Sequence, residues 1–313
     1  MKAWSALAWL AIQQQQQQQQ HKSSLFIARA FASSSRTTST RLVNTARGNF
    51  GISSSFPYHR STLSSTTSRN MSTAAADTSE MDDIDVAENL RIVRESIQAA
   101  KSPHPEKPVR LVAVSKTKPI ELLLKAYDEG GCRIFGENYA RELVEKVPLM
   151  ANDVQWHFIG NLQSNKANML VNAFDDVSRL VVETIDKIKL ANKLNNAVAG
   201  KEGKLKVFVQ VNTSGEESKS GCEPSEVLEL CEQIIKECEN LQLMGLMTIG
   251  APGDLSCFDT LAACRDTVQE KIGMELELSM GMSGDFVQAI EKGSTNVRVG
   301  STIFGARNYA NKV

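Results

Sequence analysis

The sequence predicts a single (β/α)8 barrel, and three observations carry that prediction. From residue 82 onward, strand-like and helix-like segments alternate strictly, with eight strand segments and a helix after each of the first seven. Eight such units in roughly 200 residues fit a closed barrel better than an open sheet. An open doubly wound fold should carry a G-x-G-x-x-G loop after its first strand, and "SKTKP" stands there instead.

Each element has its own signal. "DIDVAENLRIVRESIQAA" sets Leu90, Val93, Ile97 and Ala100 on one helical face. "VRLVAVSK" (109–116) reads as the first strand and "ELLLKAYDEG" (121–130) as its helix. "CRIFGE" (132–137) is a short strand before the helical "NYARELVEKVPLM". "VQWHFIG" (154–160) leads into "SNKANMLVNAF", and "SRLVVE" (178–183) into a helix that ends at Gly200. "LKVFVQVNT" (205–213) is the fifth strand, and the helix behind it has Pro224 near its start, where proline is tolerated. "LQLMGLMTI" (241–249) precedes "SCFDTLAACRDTVQEKIG", a helix closed by a glycine cap. "LELSMGMS" (276–283), the helix "GDFVQAIEKG" and "NVRVGSTIFG" (296–305) complete the set.

Composition bounds the rest. With 42% hydrophobic and 23% charged residues, the chain has the material for a large core. A net charge of -1 supplies no global field for nucleic acid or an anionic membrane. No stretch approaches the roughly 20 apolar residues that span a bilayer. The first 76 residues contain no Asp or Glu, carry Arg29, Arg36, Arg41, Arg47, Arg60 and Arg69 among many Ser and Thr, and include the glutamine run 13–20. That texture predicts a disordered organellar transit segment over 1–80, mitochondrial with a chloroplast alternative, ahead of the barrel over 81–313. Met71 offers a second start that would give a cytosolic form. The six cysteines form no C-x-x-C pair and read as packed free thiols.

The active site of such a barrel lies at the C-terminal strand ends. At the end of the first, Lys116 shares parity with Val112 and Val114 and is expected to point inward. Three readings are open to it: a snorkelling side chain, an anion binder, or a Schiff-base lysine. Glu137 is placed near the mouth with Asn138, while Arg141 and Glu142 fall on a solvated helix face. His157 reads either as a general base or as a hydrogen-bonded structural residue. Ser283-Gly284 precedes a helix, and Gly300-Ser301-Thr302 ends the eighth strand; the loops after strands seven and eight are the recurrent phosphate site of this fold. Arg298 sits between two valines with opposite parity, so it points into the barrel beside Lys116. Two inward cations require something anionic or electron-rich between them.

The motifs "VAVSKTKP", "FGENYAREL", "WHFIGNLQSNK", "NTSGEESKSG", "GLMTIG", "SMGMSGDF" and "VRVGSTIFGAR" occur in that order. Together they resemble the pyridoxal phosphate homeostasis protein family. The resemblance implies a barrel like the N-terminal domain of alanine racemase, binding pyridoxal 5′-phosphate (PLP). Lys116 would carry PLP covalently as a Schiff base, and Arg298 would face the pyridine nitrogen. Ser283, Gly300 and Ser301 would hold the phosphate, with Asn138 and Met247 lining the ring pocket. The implied role is a PLP and B6-vitamer carrier serving intracellular homeostasis without strong catalysis, with PLP-dependent apo-enzymes as recipients. The alternative is a PLP-dependent amino-acid racemase. Arginine donates to the ring nitrogen without protonating it, which weakens the electron sink. The sequence also ends at Val313, short of the C-terminal β-domain that gives racemases their second base, so a monomer or weak dimer is expected. Tyr139 and His157 are the residues that could substitute for that base. A sugar-phosphate barrel enzyme would need a carboxylate or metal set at the mouth, for which Glu137 alone stands.

Overall fold

The computed structural model describes residues 84–216 and 220–306. The transit-segment reading of 1–80 and the alternative start at Met71 lie outside the described residues.

Helix α1 (Val86–Ala99) opens the fold; Asp85 caps it by accepting the Glu88 N–H, and Val86, Leu90 and Val93 form its buried stripe. The alternation then runs β1 (Arg110–Val114), α2 (Ile120–Asp128), β2 (Ile134–Glu137), α3 (Ala140–Lys146), β3 (Gln155–Phe158), α4 (Ala167–Val171), β4 (Leu180–Ile185) and α5 (Ile188–Val198). It continues through β5 (Leu205–Gln210), α6 (Val227–Glu237), β6 (Leu241–Met247), α7 (Ser256–Ile272), β7 (Glu277–Ser279), α8 (Phe286–Glu291), β8 (Asn296–Val299) and α9 (Ser301–Phe304). The strands close in sequence order into one parallel barrel, as the alternation predicts.

The period of two divides the side chains into two cores. Ala113, Phe135, Trp156, Val182, Val207, Val297 and Val299 join the layer beneath the helices. Val181, Phe208 and Met247 form a separate cluster within the barrel. β1 closes on β8 with Val112 opposite Arg298, which brings the first and last strand ends together.

Three expectations need correction. The eighth strand stops at Val299, and Ser301 to Phe304 form a helical turn. Alternation therefore ends at Gly300; Ser301 and Thr302 are exposed, and Ile303 and Phe304 bury as helical residues. The fourth strand runs on to Ile185, past the predicted end at Glu183. Several strands are shorter than predicted because their polar ends leave the ladder as loops. All six cysteines are unpaired, and Cys231 and Cys238 are buried on and beside α6. No described helix is long and apolar enough to cross a membrane.

Candidate functional site

Lys116 follows β1 in a tight turn. The Ser115 carbonyl accepts the Lys118 N–H at 3.1 Å. Thr117 holds a φ of 61°, the one left-handed non-glycine residue described. A β-branched side chain there is strained. Lys118 donates from Nζ to the Ala306 carbonyl at 2.7 Å.

Arg298 is buried inside the barrel, as parity predicts. Its Nη1 donates to Ser279 Oγ at 2.6 Å and its Nη2 to the Thr248 carbonyl at 2.7 Å. Glu183 Oε2 lies 3.9 Å from Nη1. Glu183 also pairs with His157 through Nδ1 and accepts from Ser279 Oγ and from Asn296 Nδ2. Burial pushes the Glu183 carboxyl up, but the His157 hydrogen bond and charge, with Arg298 and Ser279, hold it below its ordinary value. Burial pulls the Arg298 pKa down, opposed by Glu183. The anion that the two inward cations require is thus built in on the Arg298 side.

The loops after β7 and β8 meet where the sequence places its phosphate-holding residues. The Gly300 N–H donates to Ser283 Oγ at 3.2 Å, so Ser283 reaches across to β8. Asp285 stands at the N-cap of α8 without a side-chain cap hydrogen bond, and its Oδ1 accepts the Met282 N–H at 2.6 Å in the preceding loop. A Cβ on Gly300 would lie 3.1 Å from the Val114 carbonyl oxygen, so the backbone here passes close to β1, two residues before Lys116. Ser301 opens α9 next to this meeting point and is exposed. Met247 is buried in the inner cluster, and the next residue, Thr248, receives Arg298. Asn138 sits past β2, where a Cβ on Gly160 would come within 1.9 Å of the Asn138 carbonyl oxygen. The Asn138 Oδ1 is buried without a hydrogen-bond partner among the described residues.

The structure moves two residues from their expected places and decides between the readings of a third. Glu137 is not at the mouth: it faces the helix layer, fully buried, and pairs with Lys146 of α3 at 2.8 Å. Glu142 is not on a solvated face, since it binds Lys146 at 2.7 Å and accepts the Thr117 N–H at 2.7 Å. His157 takes its structural reading, buried against Glu183. Sequence reasoning missed Glu183, Ser279, Asn296 and Lys146. A carboxylate on the parity of Val181 in an otherwise apolar strand was the available signal for Glu183.

A closed eight-stranded parallel barrel with interleaved helices is shared by many proteins, and the family match narrows it to one class. The family profile described as "Alanine racemase, N-terminal domain" matches residues 87–308. Alanine racemase from Corynebacterium glutamicum, 14% identical, aligns over 73% of this chain and 62% of its own with a TM-score of 0.54, a likeness of fold alone. Within that class the chain belongs to the pyridoxal phosphate homeostasis protein family. The human pyridoxal phosphate homeostasis protein is 46% identical over 243 residues, 71% of this chain and 87% of the relative. PipY of Synechococcus elongatus PCC7942, solved with PLP bound, is 30% identical with a TM-score of 0.60, covering 70% of this chain and 100% of that one.

Proposed function

We propose that this chain binds PLP covalently through Lys116 and acts as a carrier in PLP homeostasis, with little catalysis of its own. The observation that carries the reading is the placement of Arg298. It is a buried donor beside the first strand, tied down by Ser279, Thr248 and Glu183. The side chains present fit the cofactor: the Ser283–Gly300 notch suits a phosphate, and Asn138 Oδ1 awaits a partner.

When bound, PLP supplies an aldehyde for the lysine and an electron-withdrawing ring. Lys116 would hold the cofactor through its ε-amine, the group that an aldehyde condenses with on loss of one water. Arg298 keeps its proton and offers N–H donors toward the ring nitrogen, which leaves that nitrogen unprotonated. Ser283, held by the Gly300 N–H, would hold the phosphate end together with the Gly300-Ser301 backbone. Of the two residues the sequence offered as a second base, His157 is paired with Glu183 and Tyr139 is 50% exposed, which favours the carrier reading. A holder of this kind suits delivery to PLP-dependent apo-enzymes.

Two measurements test this. The loaded protein should show the visible absorbance of a lysine-bound aldehyde, and Lys116→Ala should abolish it; a retained band would overturn the site. Incubation with alanine, serine and other amino acids should give no racemisation above background, whereas steady turnover would make the chain an enzyme.

A further inference from the structure

The residue proposed to bond PLP stands on a strained turn, and a buried ion cluster grips that turn from outside the barrel. Lys146, at the end of α3, is buried and has three N–H donors. They go to the Ser115 carbonyl at 2.9 Å, Glu137 Oε1 at 2.8 Å and Glu142 Oε1 at 2.7 Å. A lysine ammonium has no further donor to give. Ser115 is also held by its side chain, whose Oγ donates to the same Glu137 oxygen at 2.6 Å. On the other side of Lys116, the Thr117 N–H ends on the same Glu142 oxygen that Lys146 binds. The residues before and after Lys116 are therefore both tied to one ammonium, directly at Ser115 and through Glu142 at Thr117.

The strain gives the clamp something to do. Thr117 at a φ of 61° would leave that conformation if nothing held its N–H. Relaxation of the turn would re-aim the Lys116 side chain. The inner network of Arg298, Glu183 and Ser279 uses none of these atoms.

We propose that Lys146 and Glu142 are positioning residues for Lys116: they fix the Ser115–Thr117 backbone so that the amine meets an aldehyde seated in the barrel mouth. This rests on Lys116 being the residue that bonds PLP. The clamp acts on bond formation and not on the phosphate notch, so it should discriminate between two ligands. PLP needs Lys116. Pyridoxine 5′-phosphate carries the same ring and phosphate with an alcohol in place of the aldehyde, and it does not.

The test uses the full chain with Glu142→Ala, Glu142→Gln and Lys146→Met. Glu142 is partly exposed, and Lys146 keeps two acceptors without it, so Glu142→Ala is suited to remain folded; a thermal melt without ligand checks each variant. Glu142→Ala should raise the Kd for PLP about tenfold. It should leave the Kd for pyridoxine 5′-phosphate unchanged. Glu142→Gln, whose amide oxygen still accepts the Thr117 N–H, should stay within about twofold of the parent protein. Lys146→Met should show the same split between ligands as Glu142→Ala. An unchanged PLP affinity overturns the proposal, as does equal loss of both ligands, or Glu142→Gln as weak as Glu142→Ala. Lys116→Ala, run alongside, separates the two failures. If it keeps the lysine-bound absorbance, the anchor is wrong; if it loses the band while Glu142→Ala binds PLP normally, only the clamp is wrong.

Discussion

Glu137 and Glu183 are both strand glutamates with no solvent exposure, and their carboxyls are shifted in opposite directions. Glu183 faces into the barrel among His157, Arg298, Ser279 and Asn296. Its partners outweigh its burial, and it stays ionised. Glu137 faces out, into the helix layer. Burial pushes it up to about 7; Lys146 pulls the other way, but Glu142 competes for that ammonium. Its Oε2 has no partner at all. Burial alone thus does not decide the charge of a carboxyl. The number of donors and cations supplied to it does. The inner carboxylate serves Arg298 and the outer one serves the turn that carries Lys116, so the two ends of the site are supported by electrostatics of different kinds.

The inner network is the place to break this comparison hardest. Glu183→Gln keeps the shape and removes the charge, leaving Arg298 and His157 buried beside a neutral amide. Stripping one partner from a buried ion pair costs about 3–5 kcal/mol, and urea unfolding at neutral pH should show a loss of that size. A loss below about 1 kcal/mol would reduce Glu183 to the level of a surface pair. Because its carboxyl is held below the ordinary 4.5, the stability it contributes is present above that value and is lost as the pH falls through the lowered one.

What the amino-acid sequence revealed follows the same inner and outer division. The parity of Val297, Arg298 and Val299 read correctly because a strand alternates without exception while it lasts. The same rule carried one step past Gly300 misassigned Ser301 to Ile303, since the chain turns helical there. Ser283 and Gly300 were read together because the loops after strands seven and eight lie side by side in this fold, and the Gly300 N–H does reach Ser283 Oγ. Glu142 was illegible: a Glu and Lys four apart on a helix look like an exposed pair. Only the tertiary fold turns that face inward, toward Ser115 and Thr117. Glu183 was read as a strand end because nothing local distinguishes a terminal glutamate from one in the interior of "LVVETI". The strained φ at Thr117 leaves no trace in residue type, as threonine is a poor choice for it.

The outer glutamate supplies the smaller and finer test. A carboxyl raised from 4.5 to about 7 binds its proton more tightly in the folded chain than in the unfolded one. Between those values the folded state holds more protons, so stability falls as the pH rises. The contribution is fully present below 4.5 and is lost as the pH passes about 7, a change of about 3 kcal/mol at most. The groups facing Glu137 are Lys146 and Glu142 from α3 and Ser115 just after β1. Glu137→Gln keeps an acceptor for Lys146 and Ser115 and removes the titration. Urea unfolding of both proteins from pH 4.5 to 8 should give curves that converge at the acid end in slope and separate as the pH rises, with the Gln variant gaining relative to its parent through about pH 7. Every other titrating group is common to the two chains and cancels in that difference. Parallel curves would mean that Glu137 is ionised throughout, and the contrast with Glu183 would collapse. A separation that develops between pH 4.5 and about 7 would make the support of Lys116 the pH-responsive end of the site, while Arg298 and Glu183 hold their charges.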